Sequence, residues 1–292
     1  MVEIVELDNP YETQNTKPQN GIVDSVEDGS VVYLPRSGFT MMDQEHRFLT
    51  PTIVDQPRVH SGRARIIYLP SSERLLKTTL VGEDRDDLQA MMTRFSTWAW
   101  NLVLQLLPEY QAGLAQGPAT FRPCPRSGPQ RLHIDSFFFF PTEGRRVLRV
   151  LTNIDPEGRP RVWQFGEEAF EPFARRLMPQ TRREVPGSGW LLEKLGITKA
   201  RRTPYDHLMR QMRNNTKVDA DYQKNAPRKI LEFPTGSTWM LFTDNVLHGA
   251  IRGQYAFEQT FWLDVNAMRE PGRSPLRALE RLYRRKLAWT PP

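Results

Sequence analysis

Residues 131–140 read RLHIDSFFFF, residues 146–154 RVLRVLTNI and residues 161–165 RVWQF. All three runs are rich in β-branched or aromatic residues, and turn chemistry separates them, most plainly DPEGRP at 155–160, so three consecutive strands are predicted. Strands resume downstream at 229–233, 238–243, 246–250 and 257–265, with the turns PTGS, TDN and IRGQY between them. Short strands at such close intervals indicate an antiparallel sandwich or barrel. Helices flank it. Upstream, Leu88, Met91, Met92, Phe95, Trp98, Ala99, Leu102, Val103 and Leu106 recur at helical spacing behind an acidic first turn, which predicts an amphipathic helix over 85–107. A helical stretch is expected over 167–178. Another begins at Thr203, where Thr-Pro-Tyr-Asp supplies a capping hydroxyl, a proline in the first turn and an acid three residues on. The class is therefore mainly β with flanking helices (α+β).

The 292 residues form one domain in this reading, with two extensions. Residues 1–60, rich in Asn, Gln, Pro and Gly, are expected to be an irregular N-terminal arm with one short strand at 30–34, and residues 274–289 a basic C-terminal helix. The single cysteine, Cys124, excludes an internal disulfide or a thiolate metal cluster and suits a reducing compartment. The start MVEIVELDNP lacks the basic and apolar pattern of a secretory signal, and no window reaches the ~20 apolar residues of a membrane span, so a cytoplasmic, soluble or peripheral protein is expected.

Net charge is +6, unevenly spread: residues 1–60 carry ten acids and four bases, whereas 194–229 carry ten bases and three acids, and 269–292 seven and two. A basic surface of this kind attracts polyanions. Aromatic residues are not interleaved with the basic stretch as a single-strand platform requires, so no nucleic-acid partner is expected. The acidic arm complements a basic face of a second copy, which argues for a homo-oligomer.

His133 and Asp135 stand two apart within the first predicted strand, so their side chains project from one face about 7 Å apart, close enough to share a metal ion. The spacing alone decides little: five histidines and 34 acids in this length give roughly 0.6 chance occurrences of His-x-acid, and a lone barrel histidine is equally at home hydrogen-bonded in the core. His248 changes the balance. It lies where one apolar strand ends in a Thr-Asp-Asn turn and the next begins, and it supplies a third ligand. Two histidines and one carboxylate on one face of an octahedron leave three positions open, which suits Fe(II) that must also take a bidentate keto acid and dioxygen. His207, on the helix beginning at Thr203, is read as structural.

The runs RLHIDSFFFFP, RVLRVLTNIDPEGRPRVWQFGE and GSTWMLFTDNVLHGAIRGQYAFEQTFWLDV resemble the Fe(II)/2-oxoglutarate oxygenase superfamily and, within it, the bacterial Kdo hydroxylases. The resemblance covers roughly residues 120–290. It implies a double-stranded β-helix (jelly-roll, cupin-like) barrel, with His133, Asp135 and His248 as metal ligands and catalytic centre. It also implies Fe(II), 2-oxoglutarate and dioxygen with ascorbate support, and hydroxylation at carbon 3 of 3-deoxy-D-manno-oct-2-ulosonic acid (Kdo) in the lipid A inner core of lipopolysaccharide.

Many relatives carry a basic residue about ten positions after the distal histidine to hold 2-oxoglutarate, whereas here Phe257, Glu258, Gln259 and Thr260 occupy that neighbourhood. Arg149, a charge inside an apolar strand, calls for a carboxylate partner that its planar guanidinium can grip with two bonds, and it is the first candidate. Arg161 and Arg252 stand in reserve, and Asn153, Trp163 and Gln259 are candidates to hydrogen-bond the co-substrate or close its pocket. Lys199, Arg201, Arg202, Arg210 and Arg213 are expected to meet the anionic glycolipid. The C-terminal RRKLAW, Arg284 to Trp289, is expected to contact an anionic membrane surface on the cytoplasmic face of the inner membrane. The competing readings are the same iron site acting on another substrate, and a non-catalytic basic β-barrel that binds polyanions.

Overall fold

Residues 2–8, 20–55, 64–124, 128–185 and 187–288 are described by a computed structural model of the chain. Its strands are β1 (Ile4–Glu6), β2 (Val31–Leu34), β3 (Ile66–Leu69), β4 (Arg74–Leu76), β5 (Leu114–Arg122), β6 (Arg146–Asn153), β7 (Arg161–Gly166), β8 (Arg228–Phe233), β9 (Thr238–Phe242), β10 (His248–Arg252) and β11 (Ala256–Leu263). Its helices are α1 (Asn20–Glu27), α2 (Gly82–Leu106), α3 (Phe170–Leu177), α4 (Ser188–Lys194), α5 (Pro204–Val218), α6 (Ala220–Asn225) and α7 (Pro275–Tyr283). A large sheet runs in the order β1-β2-β9-β6-β11-β5-β3-β4, and a small one in the order β10-β7-β8.

Strand alternation divides the core into two layers. Leu148 and Val150 of β6, Met240 and Phe242 of β9, and Phe257 and Phe261 of β11 face one way, onto α2. That helix buries Leu88, Met91, Met92, Phe95, Ala99, Leu102, Val103 and Leu106, and each large side chain so buried contributes about 1.5–3 kcal/mol. The intervening positions Leu151, Trp239 and Leu241 face the other way and meet Trp163, Phe165, Phe233 and Ala250 of the small sheet. The large mixed sheet and the small antiparallel one, closed over this second cluster, make the double-stranded β-helix, and the metal ligands lie at its mouth.

The stretch 131–140 is not a regular strand. His133 makes an isolated antiparallel bridge with His248, and Asp135 N donates to Thr243 O at 2.7 Å. Leu132 turns its backbone to the Gln223 side chain on α6, with bonds of 2.9 Å in both directions. The segment thus lies beside β10, where a fourth strand of the small sheet would be. A helix side chain, not a neighbouring strand, satisfies both backbone groups of Leu132. The aromatic run Phe137–Phe140 ends in a bend whose Phe139 O accepts from Lys199 N at 2.9 Å.

The described residues of the N-terminal arm are built into the fold. β2 pairs with β9, β1 pairs parallel to β2, and Ile22, Val23, Val26, Phe39 and Phe48 enter the core. Several of its acids pair within the chain: Asp24 lies 3.2 Å from Arg269, Asp28 2.9 Å from Arg273, and Glu45 pairs with Arg94. The last helix stops at Tyr283. Beyond it Leu287 is buried and its carbonyl accepts from Tyr205 N at 2.9 Å, while Arg285 lies 3.2 Å from Glu184. Leu287 thus ties down α5 and Arg285 the chain before α4, whereas Arg284 and Lys286 stay exposed. Trp289 lies outside the described residues. No helix among the described residues is long and apolar enough to cross a membrane.

Candidate metal centre

The antiparallel bridge between His133 and His248 sets their imidazoles side by side, with ring centres 4.7 Å apart. Each ring places Nδ1 against the backbone carbonyl two residues before it, Arg131 O at 2.9 Å for His133 and Val246 O at 2.8 Å for His248. As donors there, both rings turn a lone pair on Nε2 to the interior. Asp135 completes the group: Oδ1 is 3.8 Å from His133 Nε2 and Oδ2 4.0 Å from His248 Nε2, and the three candidate ligand atoms all lie within 4.8 Å of one another. Trp163 of β7 stacks on the His248 ring at 5.6 Å and 16°, which fixes its plane.

The electrostatics favour a cation. Burial, and repulsion from His248, drive the His133 imidazolium well below its ordinary range, and burial lowers His248 too, so both rings are neutral ligands. Burial alone would raise the Asp135 carboxyl, but Arg149 and the two imidazoles outweigh it and hold the group ionised, below the usual carboxylate range. Asp135 Oδ2 is buried and lacks a hydrogen-bond donor, because Arg149 Nε, 2.9 Å away, meets it as an ion pair without hydrogen-bond alignment. Two neutral Nε2 atoms and an orphaned carboxylate oxygen fit a divalent iron ion.

Arg149 finds the carboxylate partners its strand position called for, but within the chain: it bridges Asp135 and Glu258. Arg122 on β5 donates to the other Glu258 oxygen at 2.9 Å, and burial lowers its pKa to about 10. Two guanidiniums and two carboxylates therefore sit together beneath the mouth and cancel in charge. Sequence reasoning missed Arg122 and Glu258, whose shared signal is opposite charge across the β5–β11 ladder. Gln130 was missed as well; its amide lies 3.3 Å from His133 Nε2.

Several expected co-substrate contacts stand elsewhere. Gln259 faces α2 on the opposite side of the sheet, where its amide accepts from Ser96 Oγ at 2.8 Å and donates to Gly117 O at 2.7 Å. Asn153 staples a turn, donating to Arg159 O and Phe233 O at 2.9 Å each. Arg252 is exposed and pairs with Glu232 at 2.8 Å. Arg161 is buried at the far end of β7 and donates to Gln254 O at 3.4 Å. Besides Arg149, Trp163 alone of the expected co-substrate residues touches a triad ligand.

The basic residues of α5 and the segment before it gather by Phe138. The Arg210 guanidinium lies 3.9 Å from that ring's centre and the Arg202 guanidinium 5.3 Å. Burial, with repulsion from Arg202 and Arg213, lowers the Arg210 pKa, as expected of cations gathered without enough counter-charge. The field of Arg213 reaches both His133 and Arg149. Lys199 and Arg201 are exposed.

Among solved structures, the chain is similar to the Kdo hydroxylase KdoO, a non-heme Fe(II) α-ketoglutarate-dependent dioxygenase. The complex with α-ketoglutarate and Fe(III) is 37% identical over 98% of this chain and 97% of that one, with a TM-score of 0.90. The cobalt(II) complex is 37% identical over 99% and 98% (TM-score 0.91), and the complex with succinate and Fe(III) 38% identical over 99% and 98% (TM-score 0.91). No curated protein sequence gives a significant match. A family described as 3-deoxy-D-manno-oct-2-ulosonic acid (Kdo) hydroxylase matches residues 10–286, nearly the whole chain, and the chain belongs to the Kdo hydroxylase family.

Proposed function

We propose that the chain is an Fe(II)- and 2-oxoglutarate-dependent dioxygenase that hydroxylates carbon 3 of Kdo in the lipid A inner core, converting Kdo to Ko. The observation that carries this reading is the buried His133, Asp135 and His248 group at the barrel mouth, in a chain of the Kdo hydroxylase family. His133 and His248 would hold the metal through Nε2 and Asp135 through its carboxylate. When bound there, iron with 2-oxoglutarate and dioxygen supplies the hydroxylating oxidant, with succinate and carbon dioxide as by-products and ascorbate keeping the metal reduced.

The protein's own part is positioning and charge. Arg149 is the residue for the far carboxylate of 2-oxoglutarate: buried and beside a ligand, it has a planar fork suited to a carboxylate. Arg122, two strands over across β11, supports it through Glu258. The Asp135, Glu258, Arg122 and Arg149 group is neutral, and a dication with a dianionic keto acid adds no net charge, so loading leaves no charge buried without compensation. Trp163 closes one wall. Arg202, Arg210 and Arg213, with Lys199 and Arg201 beyond them, face the Kdo carboxylate and lipid A phosphates. The protein is cytoplasmic in this reading and meets its glycolipid on the cytoplasmic face of the inner membrane as a peripheral protein.

Adding Fe(II) and 2-oxoglutarate without oxygen should give a visible charge-transfer absorption, and Kdo-lipid A should then stimulate succinate release in air. An absorption band without stimulation by any Kdo-bearing acceptor would sink the substrate assignment. A folded protein with no band would sink the site.

A further inference from the structure

We infer that the surface formed by α4, the loop after it and the Phe139–Phe140 bend docks on an anionic phospholipid bilayer, resting on the glycolipid reading above for the occupant's identity. Phe139, Phe140, Trp190, Leu191, Leu195 and Ile197 are all exposed, from 40% for Ile197 to 63% for Leu195. Scattered apolar residues on a surface mean little, but a contiguous group marks an interaction site. These belong together: Lys199 N donates to Phe139 O at 2.9 Å, and Ile197 N and Thr198 N fold back onto Leu192 O at 2.9 and 3.2 Å. A Cβ on Gly189 would meet Arg202 O at 2.3 Å, so α4 lies tightly on the strand of chain carrying the cationic cluster.

The charge around the patch selects a bilayer over a neutral protein groove. Residues 182–202 hold six Lys/Arg and two acids. One of the acids, Glu184, is taken by Arg285 at 3.2 Å. Lys194 reaches over the Trp190 ring at 5.9 Å, an aromatic with a cationic tip beside it, which is the composition favoured at the headgroup boundary. A second copy presenting the same surface would oppose like charges.

Position argues the same way. Asp135 and Phe139 are four residues apart, so the patch begins at most ~14 Å from a metal ligand. An enzyme whose sugar is fixed to a lipid must bring its mouth to the bilayer, and this rim does so with the cationic Phe138 cluster between lipid and metal.

Vesicle sedimentation tests the surface. The wild-type protein should bind phosphatidylethanolamine–phosphatidylglycerol vesicles and much less to phosphatidylcholine, with added salt weakening the binding. Both Trp190→Ser/Leu191→Ser and Phe139→Ser/Phe140→Ser should lower partitioning at least about tenfold. The Fe(II)·2-oxoglutarate absorption of these variants should persist, which reports folding and the metal site independently of docking. Wild-type protein that ignores anionic vesicles, or two folded variants that still bind like wild type, would overturn the assignment while leaving the hydroxylase reading intact. A loss of dimers on substitution, by sedimentation velocity, would overturn it in favour of a second copy. Loss of the absorption in wild-type protein is a failure of the metal-site reading instead.

Discussion

At the residue scale, the protonation of the triad governs both metal binding and the stability of the metal-free protein. The ordinary imidazole value is 6.5, and burial drives His133 well below it and His248 also below it. Between the folded and unfolded values the unfolded chain binds more protons, so stability rises with pH through that window and is lost as pH falls below 6.5. Asp135 does not contribute there: its carboxyl is held below the ordinary 3.8 and stays ionised throughout. The thermal midpoint of metal-free protein should therefore fall between pH 7 and 5, and His133→Ala/His248→Ala should flatten most of that slope. His207 adds to the remainder, since burial lowers it too. An unchanged slope in the double variant would mean that the two rings are not buried as neutral groups. Arg149 makes a separate case. Arg149→Gln removes a charge that holds Asp135 ionised and, in our proposal, grips the keto acid, so the KM for 2-oxoglutarate should rise at least about tenfold, the loss of one charge-assisted contact. Gln259→Leu, on the far side of the sheet, should leave that KM alone and lower stability by about 1–3 kcal/mol through the unpaired Ser96 and Gly117 groups.

At the scale of elements, the position of His133 depends on how closely residues 130–133 lie against β10. Gly249 makes that approach possible: a Cβ there would stand 2.6 Å from Gln130 O and 3.1 Å from Arg131 O, both backbone atoms that cannot swing aside. Gly249→Ala should push the segment off β10 and break the two bonds between His133 and His248. It should weaken Fe(II) binding at least about tenfold while costing about 1–3 kcal/mol of stability, the usual range for overpacking. Isothermal titration with Fe(II) beside thermal melts separates the two, and a variant that binds metal normally would refute the role given to this contact. The same segment marks what sequence can reveal. His133, Asp135 and His248 were legible as a ligand set because their chemistry is rare and their order is distinctive, yet the strand drawn through 131–140 was not a strand. Its aromatic run has the composition of one, but the backbone of Leu132 is satisfied by Gln223, a long-range partner that no local pattern announces. β5 was missed for the converse reason. Gly117 and Pro118 break the strand pattern in LAQGPATFR, although Gly117 is needed where a Cβ would meet Trp262 Nε1 at 2.8 Å. With β5 went Arg122, and with it the partner that explains Glu258.

At the scale of the whole molecule, the described residues of the two chain ends are structural parts of the barrel, which the composition of residues 1–60 did not disclose. Part of the polar content that reads as an irregular arm makes contacts with the C-terminal region. Glu27, buried at the end of α1, accepts from Tyr110 Oη at 2.9 Å and from the backbone N–H groups of Arg269 and Glu270, both at 2.8 Å. One carboxylate thus joins α1, the turn after α2 and the chain entering α7. Asp24 and Asp28 add ion pairs at the surface, where exposure and salt screening leave each worth little. The buried carboxylate is different, because removing it strands three donors, two of them backbone. Glu27→Ala should therefore destabilise the protein by about 3–5 kcal/mol, whereas Asp28→Ala should cost under about 1 kcal/mol. Urea unfolding of the two variants decides between them. Equal effects would mean that the arm is held by its apolar residues Ile22, Val23 and Val26 alone and that Glu27 is incidental. The expected inequality would make this carboxylate the clamp by which the N-terminus closes the edge of the sheet.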